Sequence, residues 1–207
     1  MIRFENLEVT FNNNTIIKNL NFDVAKGDKL LIYGKSGIGK TTIFRLLLGF
    51  EKIQKGSIYF LGKPLNEKTV WELRKKIAYV SQDLDIGGGN VFNLIRNIFS
   101  YKTNIDVPFD KERLKELLFF FRLKKDILDD DYEKLSGGEK QRIALIIAVL
   151  LNRDIFLLDE ATSALDNELK KKVIEYFIGN KNWTVLAIAH DRHWLNQPGL
   201  KIIKIGD

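Results

Sequence analysis

The segment Gly34-Lys35-Ser36-Gly37-Ile38-Gly39-Lys40-Thr41-Thr42 follows directly on the apolar run 30–33. It satisfies G-x-x-x-x-G-K-[ST] in full, and few folds can present such a loop. Its glycines let the backbone curl until successive N–H groups point inward at phosphate oxygens. Lys40 adds a cation at the β- and γ-phosphates, and the Thr41 hydroxyl is placed to ligate Mg²⁺. Residues 42–48 read as a helix closed by Gly49, so the phosphates also meet a helix N-terminus. The pattern predicts a binder of nucleoside triphosphate.

With 207 residues the chain suits one compact domain, with room for an inserted lobe. It contains no cysteine, which removes disulfides, thiolate metal sites and cysteine nucleophiles together. Its two imidazoles, His190 and His193, are too few for a histidine-built metal centre. A net charge of +6 favours anionic partners without choosing among nucleotide, lipid headgroup or nucleic acid. Residues 1–9 alternate polar and apolar like a strand and do not read as a signal peptide. The longest apolar run, 143–151, falls short of the roughly 20 residues that span a bilayer. A soluble, cytoplasmic protein is expected, with any membrane role exercised through a partner.

Segments 3–10 and 15–24 read as strands joined at Asn12-Asn13-Asn14, and 29–33 as a strand feeding the glycine-rich loop. A short strand pair is expected around 56–61 and Gly62-Lys63-Pro64, a helix at 70–76 and a buried strand at 77–81. From 83 to 134 the texture changes. Gly87-Gly88-Gly89 breaks the chain, helical patterns follow at 91–99 and 111–121, and Asp129-Asp130-Asp131 marks an exposed connection. Residues 83–134 therefore read as an inserted helical subdomain between core segments 1–82 and 135–207. The continuous apolar runs 155–158 and 185–189 fit parallel strands buried on both faces, separated by a helix beginning near Asp166. The fold class is α/β: a mainly parallel sheet around the phosphate loop, with an N-terminal antiparallel β subdomain.

The run 155–158 ends in Asp159-Glu160, and a buried strand delivers its terminal side chains to the sheet edge where the phosphate loop lies. There Asp159 can hold Mg²⁺ through water and Glu160 can polarise the attacking water. Acidic residues are also common at solvated strand ends. In Leu135-Ser136-Gly137-Gly138-Glu139, residues Ser136 and Glu139 make an S-x-x-E capping box for the helix running to Leu151. A cap accounts for those two residues but not for the paired glycines, which permit close backbone approach to an anion.

At this point the chain resembles the ATP-binding-cassette (ABC) family, whose signature is LSGGQ or LSGGE, and the match extends across nearly the whole chain in the family's order. Phe11 falls at the adenine-stacking aromatic position, where tyrosine is common. Gln82 matches the glutamine loop, a Mg²⁺ ligand suited to reporting nucleotide state, and Ser163-Ala164-Leu165-Asp166 matches the loop after the catalytic carboxylate. His190 matches the switch histidine at the γ-phosphate, and Ala161 stands where many importers have proline. The chain is similar to the small stand-alone ATPase subunits of bacterial ABC transporters, including those of FetA-type iron exporters. The short stretch after 202–205 predicts no C-terminal regulatory domain.

The resemblance implies a head-to-tail dimer, of identical or different ATPase subunits, with MgATP between one phosphate loop and the other subunit's Ser136–Gly138 segment. It implies a transmembrane permease subunit as second partner and no nucleic acid. Two alternatives stay open: a soluble ABC ATPase of cofactor assembly, and a nucleotide-binding module without hydrolysis, which the presence of both Glu160 and His190 disfavours. Finally, Phe119-Phe120-Phe121 spans too wide a helical arc for one narrow buried stripe. Either that helix is packed on several sides, or one ring is exposed as a docking surface.

Overall fold

Alternating apolar residues at the N-terminus build an antiparallel pair, β1 (Ile2–Phe11) and β2 (Asn14–Val24), in register from Ile2 opposite Val24. The computed structural model describes residues 1–11 and 14–206, without the side chains of Phe11 and Asn14. Asn12 and Asn13 of the expected turn thus lie outside the described residues. Next, β3 (Lys29–Gly34) leads through the glycine-rich loop into α1 (Lys40–Leu47). The chain then returns as β4 (Lys55–Phe60) and β5 (Lys63–Pro64), completing a four-stranded antiparallel sheet ordered β2-β1-β4-β5.

After α2 (Thr69–Arg74), strand β6 (Ile77–Val80) enters the second sheet. Helices α3 (Val91–Ser100), α4 (Lys111–Phe120) and α5 (Gly137–Leu150) precede β7 (Ile155–Asp159). The chain closes with α6 (Asn167–Gly179), β8 (Thr184–Ile188), the single turn α7 (Arg192–Leu195) and β9 (Lys201–Ile205). The second sheet is ordered β6-β7-β8-β3-β9, with every neighbouring pair parallel.

Apolar residues fill both faces of the parallel sheet, as the unbroken runs require. Leu31, Val80, Phe156, Leu158, Val185 and Ala187 point to one side, where α3–α6 pack. Leu30, Ile32, Ile155, Leu157, Leu186 and Ile188 point to the other, against α1 and the antiparallel sheet. Each fully buried side chain of this kind contributes roughly 1.5–3 kcal/mol to holding the layers together. The core on the helical side runs without a break from Val91, Leu114 and Phe121 to Ile143 and Val173, so residues 83–134 share it with the sheet.

Three local readings change. Helix α1 starts at Lys40 rather than Thr42, because Gly39 takes a left-handed turn (φ 90°) straight into it. The acidic run before residue 132 is only partly a loose connection. Asp131 caps a single 3₁₀ turn, and the buried Tyr132 donates its hydroxyl to the Leu84 carbonyl at 2.6 Å. Helix α7 is too short to announce itself by periodicity. In the triple-phenylalanine run, Phe121 is buried, Phe120 leans on Tyr176 at 4.8 Å, and Phe119 is 86% exposed. The reading with one ring in solvent is the one realised.

Candidate nucleotide-hydrolysis site

Because the strands are parallel, their carboxyl ends share one edge, and four adjacent strands deliver the predicted residues there. From β6 to β3 in sheet order, that edge carries Gln82, then Asp159 and Glu160, then His190, then the glycine-rich loop. Gln82 is exposed, two residues beyond β6.

The loop needs its glycines. Gly37 and Gly39 have φ of 75° and 90°, and a Cβ on Gly39 would lie 2.7 Å from Ile16 Cδ1. Gly39 is also the N-cap of α1 and offers no side-chain cap, so the first-turn N–H groups are left for an outside acceptor. Lys35 and Ser36 are exposed, whereas Gly34, Ile38, Thr41 and Thr42 are half-buried. Lys40 is buried, and its Nζ donates to the carbonyls of Gly34 (3.0 Å) and Lys35 (2.7 Å). Burial lowers the Lys40 pKa, opposed by the charges of Glu160 and Asp159.

Asp159 is wholly buried, and its Oδ1 has no hydrogen-bond partner. Its Oδ2 accepts a long bond from the Tyr79 hydroxyl at 3.4 Å. Burial pushes the Asp159 carboxyl up, against the Thr41 hydroxyl and the Lys40 charge, which favour the carboxylate. An orphaned, desolvated carboxylate oxygen beside a threonine hydroxyl fits a hard cation such as Mg²⁺. The raised pKa means that ionised Asp159 costs folding stability. That cost is full above the folded pKa and vanishes as pH falls below the unfolded one. Asp159→Asn is therefore expected to raise Tm in metal-free buffer at neutral pH, a gain that fades towards acid. The same variant should lose most of the extra Tm given by MgATP, both effects being readable by thermal melts.

Glu160 is left-handed, with φ of 50°, a conformation that costs on the order of 1–3 kcal/mol outside glycine. Its N–H donates to the Ile188 carbonyl at 2.9 Å, and its own carbonyl accepts from Gln141 Nε2 at 3.1 Å. The turn aims the Glu160 carboxylate across β8 to within 3.6 Å of His190 Nε2. Glu160, Thr162, Ser163, Lys170, Ala189 and His190 line a cleft of about 260 Å³. Lys170 Nζ binds Asp191 Oδ2 at 2.7 Å, while Asp191 Oδ1 receives the His193 backbone N–H at 2.7 Å. Burial would raise Asp191, but these partners hold it down at about 2. The residue after His190 is thereby pinned to α6. Sequence reading missed Gln141, Lys170 and Asp191, since nothing in single-residue pattern marks a buried amide or a lysine on an otherwise ordinary helix.

The signature segment lies apart. Among the described residues no hydrogen bond joins 136–138 to 34–42. Ser136 forms both halves of the capping box with Glu139, so the structural reading of that pair holds. Gly137 faces open space, whereas a Cβ on Gly138 would stand 3.0 Å from the Ala164 carbonyl, so Gly138 also has a packing reason. Asp166 Oδ1 accepts from the N–H groups of Leu169 (3.0 Å) and Glu168 (3.1 Å). Asp166 is thus an N-cap of α6 in this chain, and those bonds, the one from Leu169 foremost, lower its pKa. The Phe11 ring, expected on adenine, falls outside the described side chains.

A family model described as ABC transporter matches residues 17–163. The chain belongs to that family. Among curated ABC relatives, it is 34% identical over 206 residues to the energy-coupling factor transporter ATP-binding protein EcfA1 of Oenococcus oeni, covering 95% of this chain and 73% of that protein. It is also 34% identical over 205 residues to the phosphonates import ATP-binding protein PhnC of Fusobacterium nucleatum, covering 92% and 83%. Among solved ABC structures, the dimeric cassette MJ0796 superposes with a TM-score of 0.81 at 25% identity, covering 99% of this chain and 94% of that one. The fold class expected from sequence is that of this cassette. Among the described residues no helix is long and apolar enough to cross a membrane.

Proposed function

We propose that this cassette binds MgATP on its glycine-rich loop, pairs head to tail with a second cassette around the nucleotide, and hydrolyses ATP to drive a permease. The observation that carries the reading is the single sheet edge holding buried Lys40, orphaned Asp159 and the Glu160–His190 pair 3.6 Å apart. Loop N–H groups and Lys40 hold the β- and γ-phosphates. Thr41, Asp159 and Gln82 would hold Mg²⁺, which would supply charge neutralisation on the phosphates. Glu160 accepts the proton of the attacking water, and His190 holds the γ-phosphate as charge develops. The Ser136–Gly138 end of α5 leaves its own loop untouched and is free to cover the partner's ATP. Residues 83–134 act as the helical subdomain facing the permease, and the protein works on the cytoplasmic face of the membrane through that subunit.

Relatives named as energy-coupling factor and phosphonate-import ATPases support the transport reading over the soluble one. The test is to isolate the tagged chain from detergent-solubilised membranes of its own cell. A multi-span membrane protein should accompany it in stoichiometric amount and stimulate its ATPase. A chain that hydrolyses ATP but associates only with soluble proteins would overturn the transporter assignment. Phe119→Ser, made in the same experiment, should keep the fold and the basal ATPase while weakening that association; unchanged recovery would remove Phe119 from the docking surface.

A further inference from the structure

The left-handed turn at Glu160 is held by backbone bonds, its N–H donating to the Ile188 carbonyl and its carbonyl accepting from the Ser163 N–H at 3.0 Å, and one side chain from another element joins them. Gln141 lies in the second turn of α5, five residues beyond Ser136, and is 2% exposed. Its Nε2 donates to the Glu160 carbonyl at 3.1 Å and to Ser163 Oγ at 3.3 Å. Its Oε1 accepts from the Ala164 N–H at 2.9 Å. The amide thus spans residues 160–164 from both of its ends. Close by on the same helix, Gly138 lies so near the Ala164 carbonyl that a Cβ would reach 3.0 Å. Helix α5 and the segment after β7 are therefore clamped at two points, one polar and one steric.

We infer that Gln141 is a positioning residue, fixing the Glu160 backbone turn and tying it rigidly to the signature end of α5. The clamp has a consequence that rests on the dimer reading above. The Ser136 end of α5 contacts the partner's ATP, so arrival of that ATP is transmitted through α5 and Gln141 to this subunit's own Glu160. Each subunit's general base is then set by the nucleotide of the opposite site. A methionine at 141 keeps length and packing but loses all three hydrogen bonds. A glutamate keeps acceptance from Ala164 N–H and loses donation to the Glu160 carbonyl.

The experiment uses the full chain with MgATP, comparing wild type, Gln141→Met and Gln141→Glu for kcat, KM, Kd of MgATP and Tm. The expected result is a fall in kcat of about tenfold or more in both variants, the range for lost outer-shell partners. KM and Kd should stay within about twofold, since Lys40 and the loop are untouched. Wild-type kcat in either folded variant overturns the inference. So does a kcat loss matched by an equal loss of MgATP affinity, and so does failure of both variants to fold, which would make Gln141 a core-stabilising residue. Absence of turnover in the wild type would instead strike the hydrolysis assignment itself.

Discussion

Glu160→Gln is expected to cut steady-state ATP turnover by roughly 10²–10⁴-fold, the usual share of a positioned general base, with MgATP affinity nearly unchanged. The amide has the shape of the carboxylate and keeps an oxygen towards His190, whose Nε2 stands 3.6 Å from Glu160 Oε1. It cannot take a proton from water. The backbone turn survives, because the bonds that hold it run through the Glu160 N–H and carbonyl rather than through the side chain. Binding without turnover should then accumulate the ATP-bound dimer, measurable by light scattering at high protein concentration with and without MgATP. Wild-type turnover would remove Glu160 from the chemistry. A variant that binds MgATP and stays strictly monomeric would sink the head-to-tail arrangement while leaving the hydrolysis site standing.

What could be read from the sequence divides along physical lines. The phosphate loop was legible because its constraint is local: glycine torsions, one lysine and one hydroxyl at fixed spacing. The strands ending at Asp159 and before His190 were legible because parallel strands buried on both faces must be continuously apolar. From those two facts the edge carrying the site follows. The clamp through Gln141 was not legible, although Lys140-Gln141-Arg142 stands beside the signature. A buried amide declares itself only through partners about 20 residues away in sequence. The same holds for Lys170 and Asp191, 21 residues apart and 2.7 Å from each other in space. Asp166 and Gly138 fit a nucleotide role by pattern, and each also carries a local structural task in this chain that pattern does not announce, one as a cap and one as a close contact.

Lys40→Ala is expected to reduce turnover by roughly 10²–10³-fold, as when one charge-stabilising donor is taken from a transition state. MgATP binding should weaken by about ten- to a hundredfold, the worth of one hydrogen bond to a charged group. The exposed Lys35 of the same loop provides the control: Lys35→Ala removes an equal charge without a buried, directed donor and should change little. A second effect separates loss of a contact from loss of a field. The Lys40 charge favours the carboxylate form of Asp159, which burial already pushes towards protonation. Without Lys40 the Asp159 pKa moves further up, so its carboxylate is lost at a higher pH as the solution is acidified. The stabilisation of Lys40→Ala by MgATP should therefore fade at a higher pH than that of the wild type, followed as the MgATP-dependent rise in Tm across a pH series. Parallel pH profiles would mean that Lys40 acts on the phosphates alone and that Asp159 is insulated from it. Wild-type turnover in Lys40→Ala would displace the phosphate site from this loop altogether.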